Sequence, residues 1–149
     1  MHSWKSVLIV AALVASTASH ADTAKPLDVC TLNAAEKLWA DASLQNYSFT
    51  FQYHEFVSPC GSWAFDVRIS HGVPEHRSDC RKYRAEFSSV PSLFKYLHRA
   101  LNKDHYRVEA EFDPTLGYPV RAFVAWSEMA DDSFSFEVVN FVSTQQPRR

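Results

Sequence analysis

Several groups of residues have the types, though not all have the spacing, that chemistry would use. His71 and His76 flank a predicted turn, with Asp79 and Cys80 close behind. Imidazole, carboxylate and thiolate together would suit zinc or copper, while the simpler reading is a set of solvated loop side chains. Ser92-Leu93-Phe94-Lys95 matches the Ser-x-x-Lys spacing of serine acyl-enzymes, but the partner motifs of those enzymes are absent. Asp113, Asp131 and Asp132 would form a calcium site or an acid pair if their loops met. No calcium-loop spacing supports that, and the simpler reading gives Asp113 a turn to hold and leaves Asp131 and Asp132 as exposed loop charges. His54-Glu55 lacks the second histidine of a helical zinc motif, and no Gly-x-Ser-x-Gly is present. We therefore expect no catalytic set, no metal and no cofactor, and the balance points away from an enzyme.

The chain has three cysteines, Cys30, Cys60 and Cys80, and the compartment decides what they do. His2 and Lys5 precede an apolar run from Val7 to Ala15, followed by small residues ending in Ser19-His20-Ala21. That is the layout of a signal peptide over residues 1–21. It leaves residues 22–149 as one domain, periplasmic or secreted. The apolar run is too short for a permanent span. An oxidising compartment favours disulfides. If Ser70-His71-Gly72 turns a hairpin, facing residues have numbers summing to about 143, which sets Cys80 opposite Trp63 and near Cys60. A Cys60–Cys80 bridge is expected on that register, with three buried thiols as the alternative and the role of Cys30 open.

The elements that must position these residues follow from hydrophobic period. Asn33 with Glu36 resembles a capping box, and Ala35, Leu38, Trp39 and Ala42 recur at helical spacing, which predicts a helix over 34–45. The period then becomes two. Tyr47, Phe49, Phe51 and Tyr53 alternate with polar residues, and Trp63, Phe65, Val67 and Ile69 do the same. Val73–His76 forms a short edge strand weakened by Pro74, and the polar stretch to Ser89 reads as loop. A second helix over 91–102 starts at Pro91 and carries Leu93, Phe94, Leu97, Ala100 and Leu101. Strands follow at 106–112, 120–126 and 134–142. The short connections imply antiparallel pairing. The fold class is therefore α+β, with two helices on one face of a curved antiparallel sheet of five or six strands.

The most distinctive stretch is Phe112-Asp113-Pro114-Thr115-Leu116-Gly117-Tyr118-Pro119-Val120-Arg121, between two strands. Asp113 before Pro114 closes an Asx-type turn, Gly117 supplies φ > 0, and Pro119 fixes the exit. Such a loop is rigid by construction, and Asp113, Gly117, Tyr118, Pro119 and Arg121 are its candidate functional residues. Together with the Trp-containing first helix, Asn46-Tyr47-Ser48-Phe49 and Asp131-Asp132 before a Phe-rich strand, the motif resembles a family of bacterial secreted proteins and lipoproteins. That family is known as a domain of unknown function and is marked by aromatic-Asp-Pro-x-x-Gly-Tyr-Pro. The resemblance covers residues 34–142 and implies an exported bacterial protein, with no activity to carry over. Many members have Cys-x-Cys after the first strand. Here Ser58-Pro59-Cys60 retains only the second cysteine, so a different pairing of Cys60, with Cys80 or Cys30, follows.

Composition narrows the function. Hydrophobic content of 46% with 21% charged residues is that of a globular domain. The net charge of −2 gives no basic footprint for nucleic acid. Eleven Phe, six Tyr and four Trp against three Gly point to a ring-filled sheet core. Clean alternation leaves one sheet face polar, with Thr50, Gln52, Asp66, Arg68, Arg107, Glu109, Glu111 and Arg121. The reading is a monomeric, non-enzymatic binding module of the bacterial envelope or secretome, whose partner is a protein or another envelope component. The alternative is a small ligand carrier or hydrolase with a pocket between helices and sheet, lined by Trp39, Phe51, Phe65 and Trp126.

Overall fold

A computed structural model describes residues 26–54, 64–75, 86–103, 106–129 and 131–144. The leader and the Cys60–Cys80 pairing lie outside those residues, as do His76 and Asp79. Two helices, α1 (Val29–Ala42) and α2 (Val90–Asn102), accompany six strands: β1 (Tyr47–His54), β2 (Ala64–Ser70), β3 (Val73–Glu75), β4 (Arg107–Phe112), β5 (Pro119–Ala125) and β6 (Ser133–Ser143). The strands form one antiparallel open sheet in the order β3-β2-β1-β6-β5-β4. The expected α+β class is the observed one. Each helix precedes a three-stranded meander, and the two meanders join where β6 pairs with β1.

Helix α1 starts five residues earlier than the apolar spacing suggests, because its cap is Asp28 and not Asn33. The Asp28 carboxylate accepts the backbone N–H of Thr31 at 2.9 Å and its hydroxyl at 2.8 Å, satisfying an N-terminal donor that the helix itself leaves open. Its buried stripe is Leu32, Ala35, Trp39 and Ala42, while Leu38, expected on that stripe, is 45% exposed. The helix stops at Ala42 and not at Gln45 because Ser43 takes the left-handed conformation, φ 51° and ψ 36°. A Cβ is unfavourable there, so Ser43→Gly should raise stability by about 0.5–1 kcal/mol in urea unfolding.

Helix α2 begins with a reciprocal cap. The Ser89 hydroxyl accepts the Ser92 N–H, the Ser92 hydroxyl accepts the Ser89 N–H at 3.0 Å, and Pro91 lies in the first turn. Its buried residues, Val90, Leu93, Phe94, Leu97 and Ala100, all but match the expected stripe, with Leu101 packed at the margin.

Both helices set their apolar stripes on one face of the sheet, and that face is paved with rings. Phe51 is fully buried and meets Tyr53, Phe65, Phe87 and Phe136 at centroid distances of 4.7–6.2 Å. Phe87 belongs to a stretch that reads as polar loop, yet it is 1% exposed and stacks on the sheet as core. The β2–β3 hairpin has the expected register, with Arg68 opposite Glu75 and Ser70 opposite Val73. His71 and Gly72 at its tip both have positive φ, 52° and 77°, as a type I′ turn requires.

Two bulges re-aim side chains. On β6, Asn140 and Phe141 together oppose Phe49, since Ser48 faces Val142 and Thr50 faces Val139. Asn140 absorbs the extra residue at φ 54°. The alternation is thereby reversed, so that Phe141 joins Phe134, Phe136 and Val138 on the ring face and Val142 turns out, 57% exposed. On β5, Glu111 faces Arg121 while Phe112 faces Pro119, which turns Pro119 into the core.

Candidate functional site

The loop from Asp113 to Tyr118 is built as its residue types require. The Asp113 N–H donates to the Tyr118 carbonyl at 2.9 Å, and the Gly117 N–H donates to the Asp113 carbonyl at 2.8 Å. The Asp113 carboxylate accepts the N–H groups of Thr115 and Leu116 at 3.0 and 2.7 Å, so its role is that of an Asx turn. Gly117 has φ 78° and passes so close to α1 that an added Cβ would lie 2.2 Å from the Ala35 carbonyl oxygen. Tyr118 stacks on Phe141 with centroids 4.3 Å apart, and Phe141 meets Trp39 and Tyr47. Burial first, and the charge of Asp113 second, push the Tyr118 phenol above its ordinary pKa. Arg121 sits one bulge away on the opposite face, paired with Glu111. The five residues thus split between a docked loop and the open face of the sheet.

That open face carries cross-strand pairs. Thr50 donates to Asp66 at 2.8 Å, and Arg121 meets Glu111. Arg107 pairs with Glu109 and lies over the Phe123 ring. Glu109, expected to be displayed, is instead 8% exposed. The short bridge of Pro26 to Glu109, with the Leu27 N–H donating to the Val108 carbonyl, covers the β4 edge beside it.

The other chemical candidates come apart. Asp113 precedes β5 and Asp131–Asp132 follow it, so the length of a seven-residue strand, about 20 Å, separates them. No shared calcium or acid-pair site forms from them. The Ser92 hydroxyl is committed to the α2 cap and Lys95 is exposed, which removes the Ser-x-x-Lys reading. His71 Nδ1 lies 3.1 Å from the Ser70 hydroxyl. Among the described residues no group of three His, Cys, Asp or Glu side chains is placed to hold a metal. Cys30 is a free, exposed thiol in the first turn of α1. No described helix is long and apolar enough to cross a membrane.

Of the rings expected to line a pocket, Phe51 is core and Trp126 is 40% exposed beyond the end of β5. Trp39 does line a cleft of about 390 Å³, together with Glu36, Gln45, Tyr47, Pro91 and Phe94. Glu36 at this cleft pairs across the helices with His98 at 2.7 Å. Tyr47 is 5% exposed, and its hydroxyl accepts the Val90 N–H at 3.3 Å. Desolvation raises its pKa to about 12, the Val90 bond opposing it. The neutral phenol is therefore favoured in the folded state, and its contribution is complete below pH 10. Between pH 10 and 12 the unfolded chain loses this proton and the folded one keeps it, so stability should fall by on the order of 2 kcal/mol. Urea unfolding of Tyr47→Phe across the same range should lack this component of the fall, and identical slopes in both proteins would refute it.

A residue missed in sequence closes this corner. Phe141 carries it with Trp39, Tyr47 and Tyr118, and its signal was the break in alternation at Val139-Asn140; Phe87, also missed, packs instead on Phe51, Phe134 and Phe136.

The fold and these sites define a small α+β domain whose helices pack on one face of an open antiparallel sheet. The chain belongs to a family of unknown function, DUF6174, whose profile matches residues 31–143. No curated protein and no solved structure matches it.

Proposed function

We propose that the protein is an exported, non-enzymatic binding module of the bacterial envelope or secretome, acting as a monomer through the face of the sheet opposite its helices. One observation carries the reading. Both helices pack on the ring face, while Thr50, Gln52, Asp66, Arg68, Glu111 and Arg121 on the other face are exposed or half-buried. The open face holds side chains in fixed pairs, Thr50 with Asp66 and Arg121 with Glu111. Pre-ordered polar groups on a sheet face lose little entropy when a partner docks. The signal-peptide layout of residues 1–21 supports export to the periplasm or medium.

The test expresses the full chain in a Gram-negative host with a photo-crosslinking residue at Gln52 or Arg121, and at Lys95 on α2 as control. The expected result is a cell-envelope or extracellular product lacking residues 1–21 by mass, crosslinked to one envelope component from the sheet positions only. An uncleaved cytoplasmic product would overturn export, and equal or no crosslinking from the two surfaces would overturn the docking face. The cleft at Trp39 and Tyr47 supports a second reading, a small-ligand carrier. Native mass spectrometry would favour it by showing extra mass that Tyr47→Phe removes.

A further inference from the structure

The end of the sheet where β4 begins and β5 ends carries three exposed large apolar side chains that the open face does not include. Arg107 faces Ala125 in register at the end of the ladder, and Tyr106 and Trp126 are the residues that flank this pair just beyond the two strands. Tyr106 is 59% exposed, Trp126 40% and Met129 65%. Exposed Tyr and Trp are side chains that dominate binding energy at protein interfaces, because they bury large areas with little loss of conformational freedom, and methionine is enriched there beside them.

The segment that carries Trp126 and Met129 is closed by hydrogen bonds among its described residues. The Trp126 N–H donates to the Asp132 carbonyl at 3.0 Å, the Asp132 N–H to the Met129 carbonyl at 3.1 Å, and the Met129 N–H to the Ser127 hydroxyl at 3.2 Å. Met129 is therefore held through both its backbone N–H and its carbonyl. The same loop, Trp126 to Ser133, contains three carboxylates, Glu128, Asp131 and Asp132, and no cation.

We propose that Tyr106, Trp126 and Met129 form a docking patch for a basic segment of a partner protein, an apolar side chain seating on the three while flanking Lys or Arg side chains meet Glu128, Asp131 and Asp132. The charge chooses the occupant. An anionic lipid surface or a nucleic acid would bring phosphates against the three carboxylates, whereas a basic peptide gains from them. The apolar centre sets the position, and the acidic rim sets the sign of the partner and the encounter rate. The inference does not depend on the open face of the sheet, from which the patch is separate.

A random dodecapeptide library displayed on phage and selected on the intact protein tests this directly, with enriched peptides measured as synthetic ligands by fluorescence anisotropy. The expected consensus is one large apolar residue flanked by Lys or Arg, with affinity falling steeply as salt rises. Trp126→Ser and Met129→Ser should each weaken binding about tenfold, and Glu128→Gln with Asp131→Asn and Asp132→Asn should abolish the basic preference. Far-ultraviolet circular dichroism and the urea midpoint check that each variant is folded, and both should be unchanged. Arg121→Glu, on the open face, should leave the affinity unchanged, so the patch and the sheet face fail or stand independently. Selection of acidic or charge-free peptides, no consensus, equal affinity for the patch variants, or self-association in place of peptide binding would each overturn the proposal.

Discussion

Gly117→Ala should destabilise the protein by about 3–4 kcal/mol. A left-handed residue with a Cβ costs on the order of 1–2 kcal/mol by itself. The larger part comes from position, since the new methyl carbon would lie 2.2 Å from the Ala35 carbonyl oxygen and 2.8 Å from the Leu38 Cβ. The nearest atom is helix backbone, which no rotamer change can move. The loop must lift off α1, loosening the Tyr118 stack on Phe141 and the packing of Leu116. For a domain of this length the melting temperature should fall by roughly 10 °C or more. Because the obstruction is the backbone oxygen, Leu38→Ala should not rescue it. A loss below about 1 kcal/mol would show that the loop does not dock as described.

Phe141→Ala should cost about 3 kcal/mol, because the ring would leave its contacts with Tyr118, Trp39 and Tyr47, a loss comparable with truncating a partly buried phenylalanine. Deleting Asn140 should cost far less. Phe141 would then follow Val139 directly, opposite Phe49, and stay on the ring face in regular alternation with Val138. Asn140→Gly keeps the bulge and relieves its positive φ, so it should be neutral or stabilising by up to about 1 kcal/mol. Equal losses for Phe141→Ala and the Asn140 deletion, measured by urea unfolding, would refute Asn140 as the one extra residue that the bulge absorbs.

Both predictions act on one corner, where the Asp113–Tyr118 loop, α1 and the end of β6 meet. Its rigidity bears on the proposed function, because the loop joins β4 to β5 and thereby holds Glu111 and Arg121 on the open face. A perturbed corner should weaken docking there while leaving the Trp126 patch, at the far end of β5, less affected.

How much of this was legible in the chain divides along a physical line. Local chemistry determined the strands' alternation, the register of the hairpin through His71-Gly72, the Pro91 helix start and the turn at Asp113-Pro114, because each depends on neighbours a few residues away. The α+β class followed from element order alone. The first helix was misplaced at its start because Asn33 and Asp28 are both competent caps, and only the docking of Pro26–Leu27 onto β4 selects Asp28. What the tertiary structure alone decided depends on distant segments. It paired β6 with β1 at the centre of the sheet, buried Phe87 and Glu109, and separated Asp113 from Asp131–Asp132 by the length of a strand. It also turned Phe141 inward through a bulge whose only local trace is an asparagine out of phase. Residue type states what a side chain can do, but which groups meet depends on strand order and register, which are settled by burying the rings of both meanders against one pair of helices.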